Sequence, residues 1–290
     1  FARFFVQLVT AGNDTTRYSM THGMWTFMNH PELWQALRAQ PELMESGVEE
    51  VLRTSAVTMH FRRTATRDVV FGGKPIKAGD KVVMWLNSAN HDDEVFENPE
   101  QFNIHRPKPR HMSFGDGIHT CIGNVLARFR KVHTFIFDVD GVLTNSELLI
   151  TEKGELLRKM NVRDGYAIKQ ALKNDYRILI LTGGSSQGVI SRLKDLGIQD
   201  ILWGIHNKLG AYEEFLDAYD IDEDGILYMG DDMPDYEVMK RVGFPCCPAD
   251  ADPEIRNIAQ YVSPYKGGYG CVRDVIEKVL RLRDQWIAND

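Results

Sequence analysis

From His133 onward, short apolar runs alternate strictly with helical stretches, and nearly every run stops at a residue able to do chemistry. The runs fall at 134–137, 177–181, 201–203, 226–229 and 244–246. Helical patterns fill the gaps at 165–173, 187–196, 208–219 and 236–242. Short strands rich in branched residues and joined by helices imply a parallel sheet covered on both faces. Such a sheet gathers its reactive groups in the loops at the carboxyl ends of its strands.

The residues at those ends form one chemical set. The first run leads into Asp138-Val139-Asp140-Gly141-Val142-Leu143-Thr144, and the second into Thr182-Gly183-Gly184. Lys208 opens the helix after the third, and the fourth leads into Gly230-Asp231-Asp232-Met233-Pro234-Asp235. Hydrolysis of a phosphate ester needs a nucleophile, an acid for the leaving oxygen, and positive charge against crowded oxyanions. A strand-end carboxylate can attack phosphorus, and a second one two residues on can shuttle the proton. Hard oxygen ligands from separate loops suit Mg²⁺. Thr182 and the Gly183 amide can hold phosphate oxygens, and Lys208 supplies a point charge. Turn or cap chemistry explains one such pair of aspartates but not four ordered sites.

These motifs resemble, in order, those of the haloacid dehalogenase phosphatase superfamily. The resemblance implies a Rossmann-like α/β fold for residues 131–290, with a small β-hairpin. It makes Asp138 the nucleophile and Asp140 the general acid/base, with Thr182 and Lys208 completing the catalytic set. It also makes Asp138, the Asp140 carbonyl and Asp231 the Mg²⁺ ligands, with Asp232 and Asp235 as support.

Only residues 146–160 separate the first two motifs, too few for a large cap domain. They read as a hairpin turning at Lys153-Gly154. With Asn161-Val162-Arg163-Asp164-Gly165-Tyr166 and Gly267-Gly268-Tyr269-Gly270-Cys271-Val272-Arg273, the stretch 133–282 resembles the capless 3-deoxy-D-manno-octulosonate 8-phosphate phosphatases of lipopolysaccharide precursor synthesis. That resemblance implies a sugar-acid phosphate as substrate and a homotetramer whose hairpins help close each site. It also points to Arg163, Gly183 and Gly184 as substrate contacts. Many members carry a charged residue after Thr-Gly where this chain has Gly184, so a sialic-acid-type 9-phosphate stays open as substrate.

Residues 1–130 follow another grammar, with long helical patterns at 4–28 and from 31 to 39, then hairpin-like runs between 61 and 85. Phe114-Gly115-Asp116-Gly117-Ile118-His119-Thr120-Cys121-Ile122-Gly123 fits a loop whose glycines let backbone amides approach a metal-bound sulfur. Glu50 and Arg53 lie one helical turn apart. Ala11-Gly12-Asn13-Asp14-Thr15-Thr16 places an acid beside hydroxyls mid-helix. This set resembles the carboxyl-terminal half of a bacterial cytochrome P-450, so residues 1–130 are expected as a mainly α, truncated haem-binding segment. The resemblance implies haem with Cys121 as axial ligand and Arg63 and His119 at the propionates. Asp14 and Thr15 would deliver protons, and Glu50 and Arg53 would form the core pair. Because the amino-terminal half of such an enzyme is missing, haem and a redox partner are expected only if this segment is competent. A natural or artificial fusion near 130–131, with the first half as an inert appendage, is the further expectation.

Charge narrows the partners. The first 130 residues are near neutral and the remainder is acidic, within a net charge of −7. Neither part suits nucleic acid, and no apolar run approaches the length of a membrane span. The chain opens on Phe1 without a leader-like segment, which suggests a fragment and a cytoplasmic setting. Cys246, Cys247 and Cys271 fit no zinc spacing and are expected as reduced thiols.

Overall fold

The computed structural model describes residues 2–106, 111–115 and 120–286. The chain divides into two compact units, 1–116 and 117–290. Each is taken by itself.

The first unit is mainly helical. It opens with α1 (Ala2–Asn29), α2 (Pro31–Ala39) and α3 (Met44–Ser55). Four short strands follow: β1 (His60–Thr64), β2 (Val69–Phe71), β3 (Lys74–Ile76) and β4 (Lys81–Trp85). They pair antiparallel as β1–β4 and β2–β3, and α4 (Leu86–Asn90) follows. The unit is organised around Glu50 and Arg53, both buried on α3. Arg53 donates to both Glu50 oxygens at 2.8 Å and to the Asn90 carbonyl at 2.6 Å. Arg106 adds a second guanidinium at 3.2 Å from Glu50. Met20, Met24, Trp25 and Met28 remain exposed along α1.

The second unit starts with α5 (Ile122–Lys131) and β5 (Thr134–Phe137), then the hairpin strands β6 (Leu149–Ile150) and β7 (Leu156–Leu157). Next come α6 (Val162–Lys173), β8 (Arg177–Leu181), α7 (Gln187–Asp195), β9 (Asp200–Leu202), α8 (Lys208–Tyr219) and β10 (Ile226–Met229). The chain finishes with α9 (Tyr236–Arg241), β11 (Phe244–Cys247), α10 (Pro253–Ile258), β12 (Tyr261–Val262) and α11 (Cys271–Leu282). Six strands form one sheet in the order β12-β11-β10-β5-β8-β9, and every pairing in it is parallel.

Strand alternation builds two cores. Phe135, Phe137, Ile178, Ile180, Leu227 and Met229 face one side, packed with residues of α6, α7 and α11. Ile136, Leu179, Leu181, Ile226 and Tyr228 face the other, against α8, α9 and α10. The four strand residues of β5 are all buried, as a central strand covered on both faces requires.

Helix α5, just before the sheet, belongs to the first of these cores. Phe129 is 1% exposed and meets Phe244 and Tyr261 edge-on, at centroid distances of 4.8 and 5.0 Å. Arg128 donates to the Gly243 carbonyl at 2.7 Å, and Arg283 donates to the Arg130 carbonyl.

The expected alternation is thus observed, with ends shifted by a residue or so at β9 and β11 and with β12 added at the edge. The hairpin turns at the expected glycine, Gly154, at φ +78°. All four cysteines are free thiols, and Cys246, Cys247 and Cys271 are buried. Among the described residues, no helix is long and apolar enough to cross a membrane.

Candidate functional site

The sheet order decides the site. β10, β5 and β8 are neighbours at its centre, with Met229 opposite Phe137 and Phe137 opposite Ile180. The residues that follow those positions therefore emerge side by side, and Asp138, Thr182 and Asp231 share one edge of the sheet.

Lys208, the first residue of α8, ties the set together. Its ammonium lies 3.0 Å from Asp138 Oδ1 and 2.6 Å from Asp235 Oδ1, and it is buried. Burial alone would lower the Lys208 pKa, but the charges of Asp138 and Asp235 outweigh it and hold the pKa above the usual lysine value. Asp235 is fully engaged: it also accepts from the Tyr228 hydroxyl and, through Oδ2, from the Asp231 amide at 3.1 Å. Asp138 is pushed up to about 7, first by burial and then by the Asp235 charge, against the pull of Lys208. Asp231 is pushed up to about 8 by burial and by the charges of Asp138, Asp235 and Asp232.

Such crowding is costly without a cation, and the donor set fits a hard one. Carboxylate oxygens of Asp138, Asp231 and Asp235 lie within 4.8 Å of one another. Asp231 Oδ1 is buried and has no hydrogen-bond partner, so it is left free to ligate. Asp235, by contrast, has its oxygens committed to Lys208, Tyr228 and the Asp231 amide. Gly141 shapes the same corner: it sits at φ +90°, and a Cβ there would fall 1.8 Å from Asp231 Oδ2. Only glycine lets the Asp231 carboxylate come so close.

On the other side, Thr182 Oγ1 accepts from the Gly184 amide at 3.1 Å, folding the Thr-Gly-Gly turn back on itself. The Asp140 side chain is partly exposed and points to this side, where a Gly184 Cβ would lie 3.1 Å from Asp140 Oδ2. Asp232 stands apart and caps the turn after β10 by accepting from the Met233 amide at 2.8 Å. Arg163 is exposed on the first turn of α6, its backbone amide held by Asn161.

Two participants are absent from the motif reading. Arg158, just after β7, grips Asp140 with Nε at 2.6 Å and Nη2 at 3.2 Å. Its only sequence signal was a basic residue at the foot of the hairpin. Tyr228 is wholly buried in β10 and donates to Asp235. A tyrosine inside an all-apolar strand was the available signal, because its hydroxyl must find a partner.

The haem-type residues present a different picture, each in its own unit. Cys121 is exposed at the N-terminus of α5. Arg63 is exposed on β1, stacked over Phe61 at 5.6 Å. Asp14 is exposed on α1, where the Thr15 hydroxyl bonds back to the Ala11 carbonyl. His119 lies outside the described residues. Among the described residues, the Cys121, Arg63 and Asp14 side chains are exposed, each in its own unit. The Glu50–Arg53 pair, by contrast, is buried and bonded.

Comparison with known proteins follows the same division. The family model for cytochrome P450 matches residues 2–136, and that for haloacid dehalogenase-like hydrolase matches residues 200–275. The chain is 38% identical over 170 residues to 3-deoxy-D-manno-octulosonate 8-phosphate phosphatase KdsC of Escherichia coli K12, a match covering 57% of this chain and 90% of that protein. It is similar to the crystal structure of a 3-deoxy-D-manno-octulosonate 8-phosphate phosphatase from Moraxella catarrhalis, solved with magnesium ion, phosphate ion and a KDO molecule. There the TM-score is 0.55 at 27% identity, over 57% of this chain and 95% of that one. The first half is 39% identical over 122 residues to linalool 8-monooxygenase of Pseudomonas putida, and spans 30% of that enzyme's length. With its strand-end aspartates, its lysine and a near-complete match to a relative of the same architecture, the chain belongs through its second half to the haloacid dehalogenase-like phosphatases.

Proposed function

We propose that residues 131–290 form a Mg²⁺-dependent phosphatase domain hydrolysing 3-deoxy-D-manno-octulosonate 8-phosphate, with residues 1–130 as an appended cytochrome P-450-like segment. The observation that carries this reading is the arrangement of Asp138 beside Lys208, with an uncommitted Asp231 oxygen at the same corner. Mg²⁺ held by Asp138, Asp231 and the Asp140 carbonyl would neutralise phosphate charge.

In the first step an Asp138 oxygen bonds to phosphorus as the bond from phosphorus to the sugar oxygen breaks. Asp140 passes its proton to that leaving oxygen. In the second, Asp140 takes a proton from water as the water oxygen attacks phosphorus and releases phosphate from Asp138. Thr182 and the Gly183 amide hold the phosphoryl oxygens, and Lys208 balances their charge. Arg158 and Arg163 are the cations for the sugar carboxylate, with Gly184 leaving room for it. Asp235 fixes Lys208, and Asp232 shapes the loop.

The exposed apolar hairpin supports a homotetramer. Leu149 and Ile150 are 66% and 67% exposed, a surface suited to burial against copies of itself. Gly184, next to Arg158, keeps a sialic-acid-type 9-phosphate as a second substrate reading.

The test is phosphate release from the octulosonate 8-phosphate with Mg²⁺, beside the sialic-acid 9-phosphate, by wild type and Asp138→Asn. Release by wild type alone, with the higher kcat/KM on the octulosonate, is the expected result. No release, or an unaffected mutant, would overturn the reading. For residues 1–130 we propose no monooxygenase activity, since Met20, Met24, Trp25 and Met28 stay exposed along α1. A stoichiometric thiolate-haem absorption band in the reduced carbon monoxide adduct would refute that. We also propose that the junction near 130–131 is artificial; peptides spanning it in natural source material would show otherwise.

A further inference from the structure

Two sequence motifs, Asn161–Tyr166 and Gly267–Arg273, stand outside the catalytic set, and the structure joins them to each other and to the nucleophile loop. Helix α11 begins after Gly270, which has no side chain with which to cap it. The missing cap comes from α6. Asp164, 1% exposed, accepts from the Arg273 amide in the first turn of α11 at 2.7 Å. A carboxylate also suits the positive end of a helix.

The segment just before that helix is pressed onto the loop that carries Asp140. The Gly268 amide donates to the Val142 carbonyl at 2.9 Å, and the Cys271 thiol reaches the same carbonyl at 3.2 Å. A Cβ on Gly267 would fall 1.9 Å from the Gly141 carbonyl oxygen, and one on Gly268 would fall 2.7 Å from the Thr144 carbonyl carbon. Gly141 is thereby enclosed, with Gly267 against its carbonyl and the Asp231 carboxylate against its Cα. Asp140 is the residue immediately before it.

We infer that Asp164, Gly267 and Gly268 form a brace, anchored on α11 by Asp164, that holds the 139–143 loop so that Asp140 meets the leaving-group oxygen. These are positioning residues, since none of them touches the reacting atoms. The inference rests on the phosphatase reading above.

A brace for the general acid makes a distinctive prediction about leaving groups. An alkyl phosphate such as a sugar phosphate needs a proton at its leaving oxygen, whereas p-nitrophenolate departs without one. kcat/KM reports only steps up to the first phosphoryl transfer, so it isolates this role. The experiment measures kcat/KM for a sugar phosphate and for p-nitrophenyl phosphate in full-length wild type, Asp164→Ala, Asp164→Asn and Gly268→Ala with Mg²⁺. Asp164→Ala and Gly268→Ala are expected to lose ~30-fold or more on the sugar phosphate but only ~3-fold on p-nitrophenyl phosphate, within the range a general acid contributes. Asp164→Asn keeps an oxygen that can accept from Arg273 and is expected to recover most of the loss. Equal losses on both substrates, an unfolded Asp164→Ala chain by circular dichroism, or no loss at all would overturn the brace. A wild type inactive on both substrates would instead overturn the phosphatase reading.

Discussion

Removing the Asp231 carboxylate should make the metal-free protein more stable while it destroys the metal site. Asp231 is pushed up to about 8, first by burial and then by the neighbouring charges of Asp138, Asp235 and Asp232. In the unfolded chain the same group titrates near 3.8. A raised carboxylate pKa means the folded state holds its proton more tightly. The associated stability is full below about pH 4 and drains away as pH rises toward 8. Each pKa unit corresponds to ~1.4 kcal/mol, so the displacement represents at most ~5–6 kcal/mol at pH 8. The mouth of the site is partly open to water, and screening there roughly halves the effect, so a gain of ~2–3 kcal/mol is the working figure for Asp231→Asn. At ~2–4 °C per kcal/mol for a domain of this size, the melting temperature of the chelator-treated variant should rise by ~5–10 °C at pH 8. At pH 4.5 the difference should nearly vanish. Mg²⁺ at about a thousand times its Kd should reverse the order, because it stabilises wild type by ~4.1 kcal/mol, more than the variant's gain, and finds no complete site in the variant. The measurement is thermal melting of both full chains, with chelator or Mg²⁺, at the two pH values. A variant no more stable than wild type at pH 8 without metal, or a gain that persists unchanged at pH 4.5, would refute the reasoning.

Three further outcomes follow from the packing. Lys208→Met leaves Asp138 and Asp235 without their cation and should cost ~3–5 kcal/mol at pH 8, read by urea denaturation; kcat should fall by ~10²-fold or more in a phosphate-release assay. Phe129→Ala empties the contact with Phe244 and Tyr261, and should destabilise the second unit by ~3–5 kcal/mol in the same denaturation measurement. Glu50→Gln strands the buried Arg53 and the adjacent Arg106, and should cost the first unit ~3 kcal/mol while phosphate release is unchanged.

What the sequence disclosed depended on whether a signal was local. Asp138, Thr182, Lys208 and Asp231 could be read because each terminates or opens an element whose apolar pattern is unmistakable. Their meeting follows from strand order, which puts β10, β5 and β8 side by side. β12 escaped because two residues, Tyr261–Val262, are too few to show a period. Arg158 escaped for another reason: a basic residue in a hairpin is ordinary until its partner, Asp140, is known. The same holds for Gly267 and Gly268, whose lack of a side chain matters only because Gly141 and Thr144 lie against them. Cys121 shows the converse. Its motif is as legible as the phosphatase motifs, yet legibility did not bring burial, and the side chain is exposed.

Helix α5 shows why resemblance and packing divide the chain at different places. By resemblance, residues 122–130 continue the cysteine loop, and the P450 family model runs through them to residue 136. By packing they belong to the second unit, because Phe129 is buried among phosphatase core residues and Arg128 and Arg130 bond to its loops. A family match reports which side chains recur, whereas burial reports which neighbours exclude water from them. An amphipathic helix satisfies both, since its requirement is an apolar stripe and not a particular partner. The sheet edge at β11 and β12 offers Phe244 and Tyr261 as that partner, and Phe129 fills the place with two edge-on ring contacts. The end of one motif set has in this way become part of the folding unit of the other. Deleting residues 1–116 is therefore compatible with an intact phosphatase core, whereas a cut at 131 removes Phe129 from it.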